Sequence, residues 1–228
     1  MMKLDEVVPW GRTRREYELM FRLRDEDRGR RILACADGPA SFQAEWTRAG
    51  GDVLSIDPIY AFEADQIRTR FEATVDRVIG QVKASPENWT WSFHHDPDDL
   101  LATRRRALDE FLGDFEGGKN SGRYVADALP DLTSIDGEAF DLALCSHFLL
   151  LYSEQFSEEF HIASVKRLCS AAPVVRIFPI LDLTQKPSPH LDAVRRQAET
   201  IGFESEILTV DYELQRGGNR MLQLVRLD

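Results

Sequence analysis

The chain has 228 residues, 43% of them hydrophobic, enough for one well-buried core, and its length favours a single α/β domain with an insertion over two independent domains. Asp and Glu number 39 against 28 Lys and Arg, and the resulting net charge of -11 argues against bulk nucleic-acid binding. The three cysteines, Cys35, Cys145 and Cys169, form no CxxC pair, and no stretch approaches the roughly 20 apolar residues of a spanning helix, so a disulfide framework, a zinc knuckle and a membrane protein are all disfavoured.

Residues 1–10 are acidic and lack an apolar secretory core, which makes a cytoplasmic location the expectation. Within an N-terminal segment spanning residues 1–30, Tyr17, Met20, Phe21 and Leu23 recur at the spacing of an amphipathic helix. Residues 32–36 are a short apolar run that ends at Asp37-Gly38-Pro39. Phe42, Ala44, Trp46 and Ala49 follow at helical spacing until Gly50-Gly51 stops them, which predicts strand, tight turn and helix. Residues 52–56 read as a second strand that finishes in Asp57-Pro58, where proline ends the regular pattern.

Residues 62–122 read as a helical insertion, expected to form a lid over a substrate. One apolar face carries Phe71, Val75, Val78, Ile79 and Val82, and another carries Leu100, Leu101, Leu108, Phe111 and Leu112. Strand-like runs return at residues 123–126, 141–145 and 174–180, with a helix over 155–169 before the last. A helix over 190–201 is closed by Gly202, and two strands, 204–210 and 220–226, flank Arg216-Gly217-Gly218-Asn219 as an antiparallel hairpin. The sum is an α/β, doubly wound, mostly parallel seven-stranded sheet with an antiparallel terminal hairpin and an antiparallel edge strand.

In such a sheet ligands bind beyond the carboxyl ends of the strands, so the residues after each strand are the candidates. Ala36, Asp37, Gly38, Pro39 and Ser41 form a small-residue turn ahead of a helix N-terminus, where a ligand can approach the backbone. Asp57, at the end of the second strand, is suited to accept hydrogen bonds from ribose hydroxyls, with Pro58 beside it. Asp127 and Ala128 occupy the equivalent place after the third strand, where a carboxylate can accept from an adenine amino group.

Taken together, Ile32-Leu33-Ala34-Cys35-Ala36-Asp37-Gly38, Val53-Leu54-Ser55-Ile56-Asp57, Asp127-Ala128-Leu129-Pro130 and Phe140-Asp141-Leu142-Ala143-Leu144-Cys145-Ser146-His147 resemble the class I methyltransferases in order and spacing. Val8-Pro9-Trp10-Gly11-Arg12 resembles a segment of uncharacterised bacterial methyltransferase-like proteins. The resemblance implies S-adenosylmethionine as cofactor, with its methionine part cradled by residues 36–40, its ribose on Asp57, its adenine on Asp127 and Ala128, and Ser146 and His147 bordering the sulfonium. Ala34, Ala36 and Ala40 depart from the family pattern, which has an acid at the first position and glycine at the others, and Asp37 is the candidate replacement carboxylate. Trp10 is placed to cover the cofactor and Arg12 to clamp a carboxylate.

Methyl transfer from a sulfonium needs alignment of the acceptor and sometimes a base, for which His147 and, second, Tyr152 are the candidates. His94-His95-Asp96 invites a metal reading, but adjacent side chains rarely converge on one ion and Asp96-Pro97-Asp98 reads as a helix start, so no metal is expected. Trp89 and Trp91 read as core, Arg104-Arg105-Arg106 as the solvated face of a helix, and Arg216 and Arg220 as a solvated hairpin. The expected activity is methylation of a small molecule. The alternatives are a non-catalytic or regulatory cofactor-binding module, or methylation of RNA or protein.

Overall fold

The computed structural model describes residues 8–137 and 139–227. Residues 1–7, which carry most of the acidic N-terminus considered above, lie outside the described residues. Seven strands form one sheet: β1 (Arg31–Cys35), β2 (Asp52–Ile56), β3 (Tyr124–Val125), β4 (Leu142–Ser146), β5 (Val174–Phe178), β6 (Phe203–Thr209) and β7 (Arg220–Arg226). Their spatial order is β3-β2-β1-β4-β5-β7-β6, with β1 to β5 parallel. This is the sheet of the class I methyltransferase fold.

One detail departs from expectation. The antiparallel strand is not at the edge: β7 inserts between β5 and β6 and runs antiparallel to both, which leaves β6 outermost. The connection from β6 to β7 spans residues 210–219, longer than a two-residue hairpin turn, so Gly217 and Gly218 shape only its last part.

Because both faces of a parallel sheet are covered, successive residues of a central strand enter different cores. In β4, Leu142 and Leu144 pack with Ile32, Ala34 and Phe42 on one side, while Ala143 and Cys145 pack with Leu33, Cys35 and Val165 on the other. The helices on the first side are α1 (Arg14–Phe21), α2 (Phe42–Arg48), α3 (Ala64–Ala84) and α4 (Pro97–Asn120), and those on the second are α5 (Glu158–Ala171) and α6 (Leu191–Thr200).

Helix α1 starts in a capping box: Thr13 accepts from the Glu16 amide while Glu16 accepts from the Thr13 amide. It stops at Phe21, two residues earlier than Leu23 suggests, because Arg22 takes a left-handed conformation and Leu23 turns back to donate to the Glu18 carbonyl at 3.0 Å. Asp96 caps α4 by accepting from the amides of Asp98 and Asp99, each at 2.8 Å.

The insertion over 62–122 is two different things. Helix α4 is the crossover between neighbouring strands β2 and β3, and its Phe111 and Phe115 pack with Tyr60 and Tyr124 in the core. Within this span, α3 and the turn before it line the main cavity through Phe62, Gln66, Ile67 and Arg70, whereas α4 does not. Arg104 also corrects the reading of the arginine run: it is fully buried, whereas Arg105 and Arg106 face solvent. Arg216 is exposed, as expected, and it also donates to the Glu87 carbonyl at 2.7 Å and the Trp89 carbonyl at 2.9 Å, which ties the 210–219 connection to the loop before α4.

Candidate active site

Strands β1, β2 and β4 and the segment after β3 all end at one cavity of about 720 Å³. It lies within the size range of small-molecule and cofactor sites. Ala36, Asp37 and Gly38 line it from β1, Asp57 and Pro58 from β2, Asp127 and Ala128 from the segment after β3, and Ser146 and His147 from β4. Val8, Pro9, Trp10 and Arg12 complete the lining, on a strap of residues 8–13.

Three expected site residues lie elsewhere. Pro39 is buried beneath the strap: its carbonyl oxygen would lie 1.8 Å from a Cβ added to Gly11, so only glycine allows the strap to seat there. Ser41 opens α2 and turns away to donate to Glu45, facing a different surface cleft. Tyr152 lines a second, smaller chamber, and its hydroxyl accepts from the Val8 amide at 3.3 Å. Ala40 is buried in the helix-side core, so its methyl does not narrow the cavity.

The turn after β1 keeps the backbone that glycine would favour although alanine occupies it. Ala36 has φ 54° and Gly38 φ 57°. His147, at the matching end of the neighbouring strand β4, has φ 52°. Non-glycine residues held in the left-handed region beside a cavity store strain that packing must overcome.

Asp37 reaches back over β1. It accepts from the Tyr17 hydroxyl and, at 2.8 Å, from Ser55, whose Cα is the register partner of Ala34. Its carboxylate therefore stands near the position that the missing acid at Ala34 would serve. Burial pushes its pKa up to about 6, against the pull of the Tyr17 and Ser55 hydrogen bonds. Asp57 accepts from the Gly38 and Ile59 amides, each at 2.9 Å, and burial raises its pKa despite those two donors.

Asp127 is the most open of the three. Partial burial raises its pKa, but the amides of Ser134 and Ala128 and the Thr133 hydroxyl outweigh it, and the group lies below its ordinary range. On the opposite side, Phe148, Phe156 and Phe160 form an aromatic wall, with the rings of Phe156 and Phe160 stacked at 4.4 Å.

His147 is held neutral: burial and the nearby Arg12 and Arg104 guanidinium groups keep its pKa well below the ordinary value, and its Nδ1 lies 3.0 Å from Ser146 Oγ. A neutral imidazole can accept a proton, but this environment makes it a weak base.

Below the strap lies a buried polar network that sequence patterns did not reveal. Arg104 donates to both Glu16 carboxylate oxygens, at 2.8 and 2.7 Å, and Tyr212 donates to the same group at 2.8 Å. Arg104 also lies 5.5 Å from the Trp10 ring centre and donates to the Gly11 carbonyl at 3.4 Å, so this ion pair supports the strap from beneath. His94, fully buried, faces Glu16 at 3.4 Å. Among the described residues no group of three or more His, Cys, Asp or Glu side chains could hold a metal ion, and no helix is long and apolar enough to cross a membrane.

No protein-family model matches the chain. It is 30% identical over 226 residues, covering 99% of both chains, to the uncharacterised protein MJ0045 of Methanocaldococcus jannaschii. Among solved structures it is similar to a magnesium protoporphyrin IX methyltransferase of Synechocystis PCC 6803 with bound S-adenosylmethionine, at 14% identity and TM-score 0.45 over 87% of this chain and 70% of that one. It is also similar to a Pyrococcus horikoshii protein described as an RNA methyltransferase, at 11% identity and TM-score 0.48 over 93% and 82%. At this level of similarity the sheet order, rather than any one of these proteins, defines the fold.

Proposed function

The chain belongs to the family of the Methanocaldococcus jannaschii protein MJ0045, and for this member we propose S-adenosylmethionine-dependent methylation of a small-molecule acceptor. The observation that carries the proposal is the convergence of Asp37, Asp57 and Asp127 with the Ala36–Gly38 turn on one cavity at the carboxyl ends of four neighbouring strands. Fold alone would not carry it, since function resides in sites.

The donor set suits the cofactor. Each Asp57 oxygen accepts one backbone amide and keeps a lone pair for a ribose hydroxyl. Pro58 and Ile59 face Ala128, Leu129 and Leu132 across the cavity, apolar surfaces between which a purine ring can lie, with Asp127 at its polar edge. Asp37 supplies the only carboxylate of the β1 turn and suits a cationic amino group, while Ser146 and His147 border the reacting centre from β4.

When bound, the cofactor supplies an electrophilic methyl group on a sulfonium, displaced in line by a lone pair of the acceptor. The protein's work is then alignment and exclusion of water. The strap, resting on Pro39 and on the Glu16–Arg104 pair, covers the cavity. His147, neutral and facing it, is the candidate to accept a proton from the acceptor. The acidic balance of the chain favours a small acceptor over RNA.

The test is to incubate the protein with methyl-labelled cofactor and a fractionated cell extract. Label is expected in the small-molecule fraction. Label in RNA or protein would overturn the acceptor class, and absence of cofactor binding by calorimetry would favour a non-catalytic module.

A further inference from the structure

Beside the main cavity lies a second chamber of about 80 Å³ at the ends of β4 and β5. At the roughly 10–15 Å³ of probe-occupied volume that one water needs, it holds on the order of six water-sized positions, the extent of a small ring or a short branched chain. Its walls are mainly apolar, including Val78 of α3, Phe178 of β5 and Leu214 of the 210–219 connection. Four residues, Val8, Trp10, Arg12 and His147, line both spaces and so form the doorway between them.

Two buried donors at this doorway, Trp10 Nε1 and Arg12 Nε, lack acceptors. Arg12 donates from one terminal nitrogen to the Trp10 carbonyl at 2.8 Å, while its buried Nε has no hydrogen-bond partner. Among the described residues it has no carboxylate within ion-pairing distance. Glu16 is already taken by both nitrogens of Arg104, and Asp37, a buried acid of the main cavity, accepts from Tyr17 and Ser55, so Arg12 has no carboxylate of its own among the described residues. Tyr152 accepts from the Val8 amide, and its own proton has no acceptor among the described residues. A half-buried guanidinium with a buried, unpartnered Nε is costly without an anion, and a ligand that brings one is correspondingly favoured.

We propose that this chamber is the acceptor site and that it takes small acidic molecules, with the acceptor's carboxylate on Arg12 at the doorway and its apolar body among Val78, Phe178 and Leu214. The proposal rests on the methyltransferase reading of the main cavity. A carboxylate clamp at Arg12 fits the cofactor's own carboxylate as well as the acceptor's, and the two sources of the same chemical group are separable.

Benzoate and its neutral counterpart benzamide are titrated by calorimetry into protein saturated with S-adenosylhomocysteine. Benzoate is expected to bind at least about tenfold more tightly, the worth of one charge-assisted hydrogen bond. Arg12→Gln should erase that preference. Val78→Phe and Leu183→Phe, which fill the chamber without touching the main cavity, should abolish benzoate binding while S-adenosylhomocysteine affinity, which also reports folding, stays within twofold.

Equal binding of benzoate and benzamide, or no binding of either, overturns the proposal. So does an Arg12→Gln variant that loses affinity for S-adenosylhomocysteine but not for 5′-methylthioadenosine, which lacks the amino-acid carboxylate, because the guanidinium then serves the cofactor. If S-adenosylhomocysteine fails to bind the unaltered protein, the methyltransferase reading falls by itself, and the same benzoate titrations on ligand-free protein still decide whether the chamber takes acids.

Discussion

Replacing Asp37 by Asn removes a charge that the fold buries unfavourably. The carboxyl lies under the strap with 5% of its surface exposed, and its pKa stands at about 6 against an unfolded value of 3.8. A folded-state pKa above the unfolded one means that the native protein holds the proton more tightly. The stability this confers is complete below pH 3.8 and is lost as pH rises through 6. At 1.36 kcal/mol per unit, the ionised group costs about 3 kcal/mol above pH 7 and about 1 kcal/mol at pH 4.5. Asn keeps an oxygen for Tyr17 and can donate to Ser55, so the variant should avoid most of that cost. For a chain of this length the melting temperature of Asp37→Asn should exceed the parent's by about 3 to 10 °C at pH 7.5, with the gap narrowing toward pH 4.5. Scanning calorimetry across that range is the assay. A gap independent of pH, or of opposite sign, refutes the buried charge. The same charge explains why the cost is tolerated: affinity for S-adenosylmethionine should fall in the parent as pH drops through about 6, and fall at least about tenfold in Asp37→Asn at pH 7.5. Unchanged calorimetric affinity would remove Asp37 from the cofactor site.

Three further outcomes follow from the geometry. Gly11→Ala would set a Cβ 1.8 Å from the Pro39 oxygen and lift the strap, so cofactor affinity should weaken by about tenfold in calorimetry. Glu16→Leu, which leaves the Arg104 charge buried alone, should cost about 3–5 kcal/mol in urea unfolding, whereas Glu16→Leu with Arg104→Met should recover much of it. Ala36→Gly should stabilise by about 1 kcal/mol in the same assay, since alanine at φ 54° carries a penalty that glycine does not; destabilisation would mean that packing of the methyl outweighs the strain.

The parts of the site that were legible in the sequence are those that a strand end delivers directly. A short apolar run followed by an acid or a small-residue turn fixes Asp37, Asp57 and His147 at one edge of the sheet, because parallel strands present their carboxyl ends together. Pro39 and Ser41 share that turn but point elsewhere, which depends on single φ and ψ angles that no pattern records. Arg104 was misread for a different reason. Three consecutive arginines look solvated, yet Arg104 continues the stripe of Leu100, Leu108, Phe111 and Phe115, and an arginine on an apolar stripe is a signal for a buried carboxylate partner. That partner, Glu16, lies 88 residues away, so only the fold brings them together. The span 62–122 reads as one insertion because it contains both a crossover, which any pair of parallel strands needs, and a helix at the cavity's edge.

The insertion of β7 between β5 and β6 has a consequence for synthesis on the ribosome. Strand β6 emerges before its only neighbour exists, and β5 keeps a bare edge until residues 220–226 have been made. Met221, Leu222 and Leu224 then bury themselves on both faces at once. The 210–219 connection drawn in by that event carries Tyr212, Leu214, Gln215 and Gly218 of the small chamber. A nascent chain can therefore assemble most of the main cavity early, but it remains unable to seat anything in the chamber until the sheet itself is closed.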